Sequence, residues 1–590
     1  MEKLKSTTMQ RELFEFIAQF GGTYHESCKI FEKYGIQSIA MLKKQPYEAI
    51  TKCKLSFSVA DSIAKQEGFP ACSDERLSAL AETLRDECCE SGDTYIYQKE
   101  MHTYMNQFLV SEKSAYQRPL PTTILQSGIS SNKRFYVDTE SVPARIYPKV
   151  LAHAEDTIVK ELIRLERTSK RMSYSSSLVD EVEAETGMKY APPQRASFDA
   201  LKRTGVKIVT GGPGTGKTTT IRGLITAYQK MYPDNIIKLC APTGRAAQRM
   251  TESTGMEAVT IHRLLEFFVS GDKVFHKDAK NPIVADLIVV DEMSMTDTEL
   301  MSIFLQAVQD GTLVMLVGDI YQLPSVGPGD VLHDLIFSEK LPVFRLTKVY
   351  RQAGDSPIVT NANKINDGHT DLIETDDFEI IIVHNDEECK EKILELTKQY
   401  YDASKPFDMQ ILAPSKKYES GTKNLNKVIQ EAVNPGKKGF VFGDTTYRVG
   451  DKIIMLNNNY QSGYFNGDVG YVVSINDDGV VVNILDNEIT ITKNMMDDMS
   501  LAYSVTVHKS QGSEYPLAIC ALPKSPGNML VRNLFYTAVT RAKKKVIVVA
   551  VDGRIHASII NNQTGKRKTG LLEKLSKADF NFKGGSDGSN

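Results

Sequence analysis

Gly211-Gly-Pro-Gly-Thr-Gly-Lys-Thr218 places glycines where a chain must wrap tightly around an anion, then a lysine and a hydroxyl. That spacing suits a phosphate-binding loop. Backbone N–H groups close on the phosphates, and the N-terminus of the following helix adds partial positive charge. Lys217 then reaches the β- and γ-phosphates while the Thr218 hydroxyl ligates Mg²⁺. The β-rich run Val206–Thr210 precedes the loop and a helix over Thr219–Tyr228 follows it, the context such a loop needs. Gly211, Gly212, Pro213, Gly214, Thr215, Gly216, Lys217, Thr218 and Thr219 are therefore the expected nucleotide-binding stretch.

Hydrolysis of a nucleotide also needs a second metal anchor and a group to activate water. Leu287-Ile-Val-Val-Asp-Glu292 is an apolar strand ending in two carboxylates, 74 residues after Lys217 (291 − 217). Asp291 suits the metal and Glu292 the water. Gln322, in Gly318-Asp-Ile-Tyr-Gln-Leu-Pro324, is a neutral amide suited to touch both the γ-phosphate and the water; its plainer reading is a turn former. Charge developing on the transferred phosphoryl calls for guanidinium groups, and Arg351 and Arg541 are the candidates. Each has a second reading as a surface ion pair. If both come from a second lobe while Lys217 comes from the first, ATP sits in the cleft between them.

The elements around these residues divide the chain. Up to about residue 185 the apolar spacing is helical, as at Leu13, Phe14, Ile17 and Ala18, and a long helix is expected over Val150–Leu165. From Val206 short β-rich runs alternate with helices, which implies βαβ units and parallel sheets. One set holds Val206–Thr210, Ile236–Cys240, Leu287–Val290 and Thr312–Val317. Phe378–Val383, Met409–Leu412, Leu517–Ala521 and Val546–Val551 form a second, so two α/β lobes are expected. Between members of the second set, residues 443–499 carry short strands split by Asn, Asp and Gly turns, the pattern of a small antiparallel barrel.

Composition excludes several classes. With 41% hydrophobic and 25% charged residues the chain is neither disordered nor fibrous. No long uncharged apolar run spans a membrane, and the first residues lack the apolar core of a secretory signal. A net charge of −3 gives no global positive field, so a polyanion must be held by local tracks. Eight cysteines without a C-x-x-C are read as reduced thiols of a cytoplasmic protein.

These motifs, with Ala241-Pro-Thr-Gly-Arg-Ala246, Thr260-Ile-His262, Tyr350-Arg-Gln352, Thr506-Val-His-Lys-Ser-Gln-Gly-Ser-Glu514 and Tyr536-Thr-Ala-Val-Thr-Arg541, stand in the order of superfamily 1 helicase motifs. Their wording resembles the RecD-like branch, superfamily 1B, which includes the exodeoxyribonuclease V alpha chain and its stand-alone relatives. The resemblance implies an α/β fold of two RecA-like lobes, with ATP and Mg²⁺ driving 5′→3′ movement on single-stranded DNA and unwinding of 5′-tailed duplex in repair or recombination. It implies that Gln194 reads adenine, Tyr350 stacks near the base and Glu514 touches the sugar. Pro242, Thr243, Arg245, Thr260 and His262 would contact DNA on the first lobe, and Thr506, His508 and Lys509 on the second.

The implied organisation is a helix-hairpin-helix-like region at 1–70 and a helical connector at 71–189. Lobe 1 would cover 190–345, with a duplex-splitting hairpin at 267–278. Lobe 2 would cover 346–442 and 500–560 around a Src-homology-3-like barrel at 443–499, leaving a tail at 561–590. One departure stands out. Helix-hairpin-helix turns use Gly-x-Gly to present N–H groups to phosphate, whereas this chain has Lys54-Leu-Ser-Phe-Ser58. Two other readings stay open: a DNA-binding ATPase subunit or adaptor of a larger nuclease complex, and a superfamily 1 RNA helicase. No nuclease constellation is found.

Overall fold

The computed structural model describes residues 2–270, 273–348, 356–436, 438–459, 462–484, 487–562 and 567–580. It divides into two compact units. The first comprises Met1–Asp156, Gly327–Gly329 and Arg567–Gly570; the second comprises the remainder.

In the first unit, helices including Tyr24–Tyr34, Glu48–Cys53, Phe57–Gln66 and Asp74–Glu90 bury Ile30, Ala60, Ile63, Leu77 and Leu80 in one core. Within that core lies a fully buried ion pair. Arg76 Nε and Nη2 donate to the two Asp61 carboxylate oxygens at 2.6 and 2.9 Å, and the Tyr47 hydroxyl and Ala115 N–H donate to the same carboxylate. A charged pair at this depth is tolerable only because every oxygen has donors. The expectation of helices alone misses a small antiparallel sheet, β1 (Ile96–Tyr97), β2 (Phe135–Asp138) and β3 (Arg145–Pro148), in the order β1-β3-β2. Two- and four-residue strands are too short to set a period.

The second unit contains two parallel sheets. The first has β4 (Gly205–Gly211), β5 (Ile237–Ala241), β6 (Ala258–Thr260), β9 (Leu287–Val290), β10 (Leu313–Gly318) and β11 (Val343–Leu346), ordered β11-β4-β10-β9-β5-β6. Between β6 and β9 in sequence, β7 (Phe268–Ser270) and β8 (Lys273–Phe275) pair antiparallel; the turn expected at Gly271–Asp272 lies outside the described residues. Alternate strand residues enter opposite cores. Ile288 and Val290 of β9 pack on one side of the sheet, Leu287 and Val289 on the other. Burial on both faces is what makes such strands read as continuous apolar runs.

The second parallel sheet begins with β12 (Phe378–Val383) and β13 (Met409–Ala413). The chain then leaves for the hairpin β14 (Gly439–Phe442) and β15 (Thr445–Arg448). A five-stranded antiparallel sheet follows, of β16 (Lys452–Met455), β17 (Val469–Asn476), β18 (Gly479–Ile484), β19 (Asn487–Thr492) and β20 (Met499–Leu501), ordered β19-β18-β17-β16-β20. It returns through β21 (Ser504–Thr506), β22 (Tyr515–Leu522) and β23 (Ala542–Val551), completing the order β12-β23-β22-β13-β21. Among the described residues no helix is long and apolar enough to cross a membrane.

Candidate nucleotide cleft and nucleic-acid groove

Strand β4 ends at Gly211, and the helix Lys217–Met231 starts six residues later. Gly214 and Gly216 between them have φ of +69° and +75°, a region glycine enters without penalty. Lys217 folds back over the loop, its Nζ donating to the Gly211 and Gly212 carbonyls at 2.5 and 3.1 Å. Thr218 and Thr219 open the helix. Beneath the loop, the buried Gln194 amide donates to the Thr215 carbonyl at 3.1 Å, while its oxygen accepts from the Ala191 N–H. Gln194 thus braces the loop.

Asp291 and Glu292 follow β9 directly. Burial, and then the Glu292 charge beside it, push the Asp291 carboxyl above its ordinary value, against the pull of Lys217 and Arg249. Glu292 has φ +52°, a left-handed conformation costly for a side-chain-bearing residue and characteristic of functional strain. Among the described residues no group of three His, Cys, Asp or Glu side chains gathers as a metal site. The Thr218 hydroxyl and Asp291 carboxylate are hard oxygen donors of the sort Mg²⁺ takes sparingly from protein, leaving its other positions to phosphates and water.

The second lobe reaches this site. Arg541, almost wholly buried, directs Nη2 to the Gln322 side-chain oxygen and Nη1 to the Ser513 carbonyl, with Glu292 3.9 Å away. Its Nε is buried with no hydrogen-bond partner among the described residues. Lys217, Asp291, Glu292, Gln322 and Arg541 thus share one cleft, and the surface-ion-pair reading of Arg541 fails because the group is sealed in. Tyr350 and Arg351 lie outside the described residues.

Several members of the cleft carry no sequence signal of their own. The Tyr536 hydroxyl donates to Asp319 at 2.8 Å, and a Cβ at Gly212 would sit 3.3 Å from that hydroxyl. Burial raises the Asp319 carboxyl, while Lys217 draws it down. Arg249 meets Glu514 at 2.6 Å, and Lys543 meets it at 3.4 Å. Burial would raise Glu514, but Arg249 and Lys543 outweigh it and hold the carboxyl below its usual range. Glu514 is therefore an ion-pair hub between the lobes. Arg249 belongs to no motif; Asp319 and Tyr536 stand inside motifs whose spacing does not reveal their pairing.

A second cavity, of about 840 Å³, is lined by Thr243, Arg245, Thr506, His508 and Lys509, with Lys416, Tyr418, Asn466 and Met529 among the others. Burial, then Lys416, brings Lys509 down to about 8, and its Nζ donates to Asn466 at 3.3 Å. Arg245 donates across to the Ser513 and Tyr515 hydroxyls. Pro242, Thr260 and His262 do not line this cavity. Pro242 is half-buried just after β5. His262 packs edge-on against Phe267 at 5.4 Å, next to the β7–β8 pair, and burial lowers its pKa. Thr243, Thr260 and Thr506 have a further role in common. Each side-chain oxygen accepts from the N–H three residues on and caps a helical turn.

Four domain models match the chain: an AAA domain over residues 194–328, a UvrD-like helicase C-terminal domain over 501–549, the SH3 domain of ATP-dependent RecD-like DNA helicases over 425–485, and the HHH domain of ATP-dependent RecD2 DNA helicases over 6–95. The RecBCD enzyme subunit RecD of Mycolicibacterium smegmatis is 32% identical over 422 residues, covering 65% of this chain and 75% of that protein. The chain belongs to the RecD-like superfamily 1B helicases. Within this family, the ATP-dependent RecD2 DNA helicase of Deinococcus radiodurans is 28% identical over 576 residues, 96% of this chain and 78% of that one. A Pif1 helicase from Bacteroides, in complex with ADP-AlF3 and single-stranded DNA, aligns over 64% of this chain and 95% of that chain, at 20% identity and a TM-score of 0.41.

Proposed function

We propose that this RecD-like chain is an ATP-dependent DNA helicase that moves 5′→3′ on single-stranded DNA and opens 5′-tailed duplex, in repair or recombination in a bacterial-type cytoplasm. The observation that carries it is Arg541, a second-lobe guanidinium held by Gln322 and beside Glu292 of the first lobe. Lys217 and the loop amides bind the β- and γ-phosphates of ATP. A Mg²⁺ held by Thr218 and Asp291 would neutralise charge on those phosphate oxygens. Glu292 orients the attacking water and accepts its proton. As negative charge builds on the transferred phosphoryl, the buried Arg541 Nε–H meets it, and the Arg351 guanidinium is the second candidate donor.

Because Arg541 and Gln322 sit on opposite lobes, the presence of a γ-phosphate changes the contact between lobes. The groove that carries Arg245, His508 and Lys509 spans the same two lobes, so its grip changes with it. The β7–β8 pair, backed by Phe267 and His262, is suited to split the duplex.

Unwinding of matched 5′-tailed and 3′-tailed duplexes by the purified chain with ATP tests activity and polarity together. The 5′-tailed substrate is expected to open and the 3′-tailed one to remain paired. The kinship with RecD subunits of RecBCD enzymes favours one second reading, a DNA-binding ATPase subunit or adaptor of a larger nuclease complex without autonomous unwinding. Unwinding by the chain alone rejects it. Stronger stimulation of hydrolysis by RNA than by DNA would move the substrate to RNA.

A further inference from the structure

Tyr418 is out of place by every structural criterion. Its φ of +74° is the left-handed region, where a bulky side chain is strained by about 1–3 kcal/mol. The residue is 54% exposed, and its side chain has no ring, cation or hydrogen-bond partner among the described residues.

The loop nevertheless holds it firmly. Residues 414–421 follow the C-terminal end of β13, the edge at which parallel sheets present ligand sites. The Gly421 N–H donates to the Tyr418 carbonyl at 3.1 Å, the Ser415 hydroxyl donates to the Lys417 carbonyl at 3.0 Å, and the Thr422 N–H donates to the Ser415 carbonyl at 3.0 Å. Gly421 lies so close to Lys417 that a Cβ would meet its carbonyl oxygen at 1.9 Å. The turn is over-determined, and it delivers the tyrosine into the wall of the 840 Å³ cavity beside Lys416 and Lys417.

Strain without packing, exposure within a ligand cavity and two adjacent ammonium groups describe a stacking platform next to a phosphate track. We propose that Tyr418 stacks on a base of the single strand held in this groove, with Lys416 and Lys417 gripping the flanking phosphates. This rests on the helicase reading and adds to it the residue that contacts the base itself.

The test uses the full chain and Tyr418→Gly and Tyr418→Phe variants, with fluorescein-labelled oligothymidylate and an abasic strand of equal length. Tyr418→Gly should bind oligothymidylate about 5- to 150-fold more weakly, the range that one stacked base represents. Its melting temperature should equal or exceed that of the parent, because glycine occupies φ +74° without strain. Tyr418→Phe should keep the affinity. The parent's preference for the base-bearing over the abasic strand should shrink in Tyr418→Gly. Equal binding by parent and Tyr418→Gly overturns the stacking assignment while leaving the helicase reading in place. A parent chain that binds neither strand overturns both.

Discussion

Two turns in this molecule lead into helices with their N–H groups forward, and they have opposite fates. In the phosphate loop Gly214 and Gly216 are left-handed, and Lys217 rests on carbonyls that it can leave for a phosphate. In the N-terminal hairpin, Lys54 takes the left-handed conformation at φ +56°, and Ser56 stands before the helix Phe57–Gln66. There the Ser56 N–H donates to Glu26 Oε1 at 2.8 Å, and the other oxygen of that carboxylate accepts from the Thr23 N–H and hydroxyl. An internal carboxylate already occupies that amide. Turn geometry alone does not make an anion site; an unfilled amide does.

The largest expected effect falls on the open turn. Lys217→Ala should cut ATP hydrolysis by about 10²- to 10³-fold or more, measured as phosphate release with saturating oligonucleotide. A Lys217→Ala protein that hydrolyses ATP like its parent would remove the difference between the turns.

How much of this is legible in the sequence depends on the range of each interaction. The phosphate loop, the paired carboxylates after β9 and the two parallel sheets are readable because glycine spacing and apolar runs act over a few residues. Residue partners across the cleft are not. Asp319 and Tyr536 are 217 residues apart, and no local pattern joins them. Thr243, Thr260 and Thr506 are legible as donors to a nucleic-acid backbone; that each oxygen also accepts from an N–H and caps a helical turn is not. Lys54-Leu-Ser is legible as a departure from Gly-x-Gly, but the chain makes the left-handed turn with a lysine, and the carboxylate that fills it lies 30 residues away in sequence from Ser56.

A smaller effect belongs to the filled turn. Burial would raise the Glu26 carboxyl, but hydrogen bonds from Thr23 and Ser56 outweigh it and hold the group below its ordinary value. A depressed carboxyl stabilises above its unfolded pKa of about 4.3, and that contribution is lost as pH falls through the folded value. Glu26→Ala should therefore speed amide exchange at Thr23 and Ser56 by roughly 5- to 10-fold near neutral pH, about 1 kcal/mol of lost capping. The difference from the parent should vanish in acid below the folded pKa, while ATP hydrolysis is unchanged. If Glu26→Ala instead binds oligonucleotide several-fold more tightly, the hairpin is a masked phosphate site, and the two turns differ only in what covers them.

The smallest effect isolates the backbone. Lys54 is the C-cap of the helix Glu48–Cys53, and its N–H donates to the Ala49 carbonyl. Glycine at this position removes the left-handed strain of a side-chain-bearing residue but adds freedom to the unfolded chain, and the first term is the larger. Lys54→Gly should stabilise the hairpin by about 0.5–1 kcal/mol, seen as slower exchange at Leu55 and Ser56, whereas Lys54→Ala keeps the strain and gains nothing. Oligonucleotide affinity should be equal in all three proteins, because Glu26 still fills the Ser56 amide. Weaker binding by both Lys54→Gly and Lys54→Ala would mean that the lysine charge, not the turn, meets the DNA. The hairpin would then hold its phosphate through a side chain, as the phosphate loop does through Lys217.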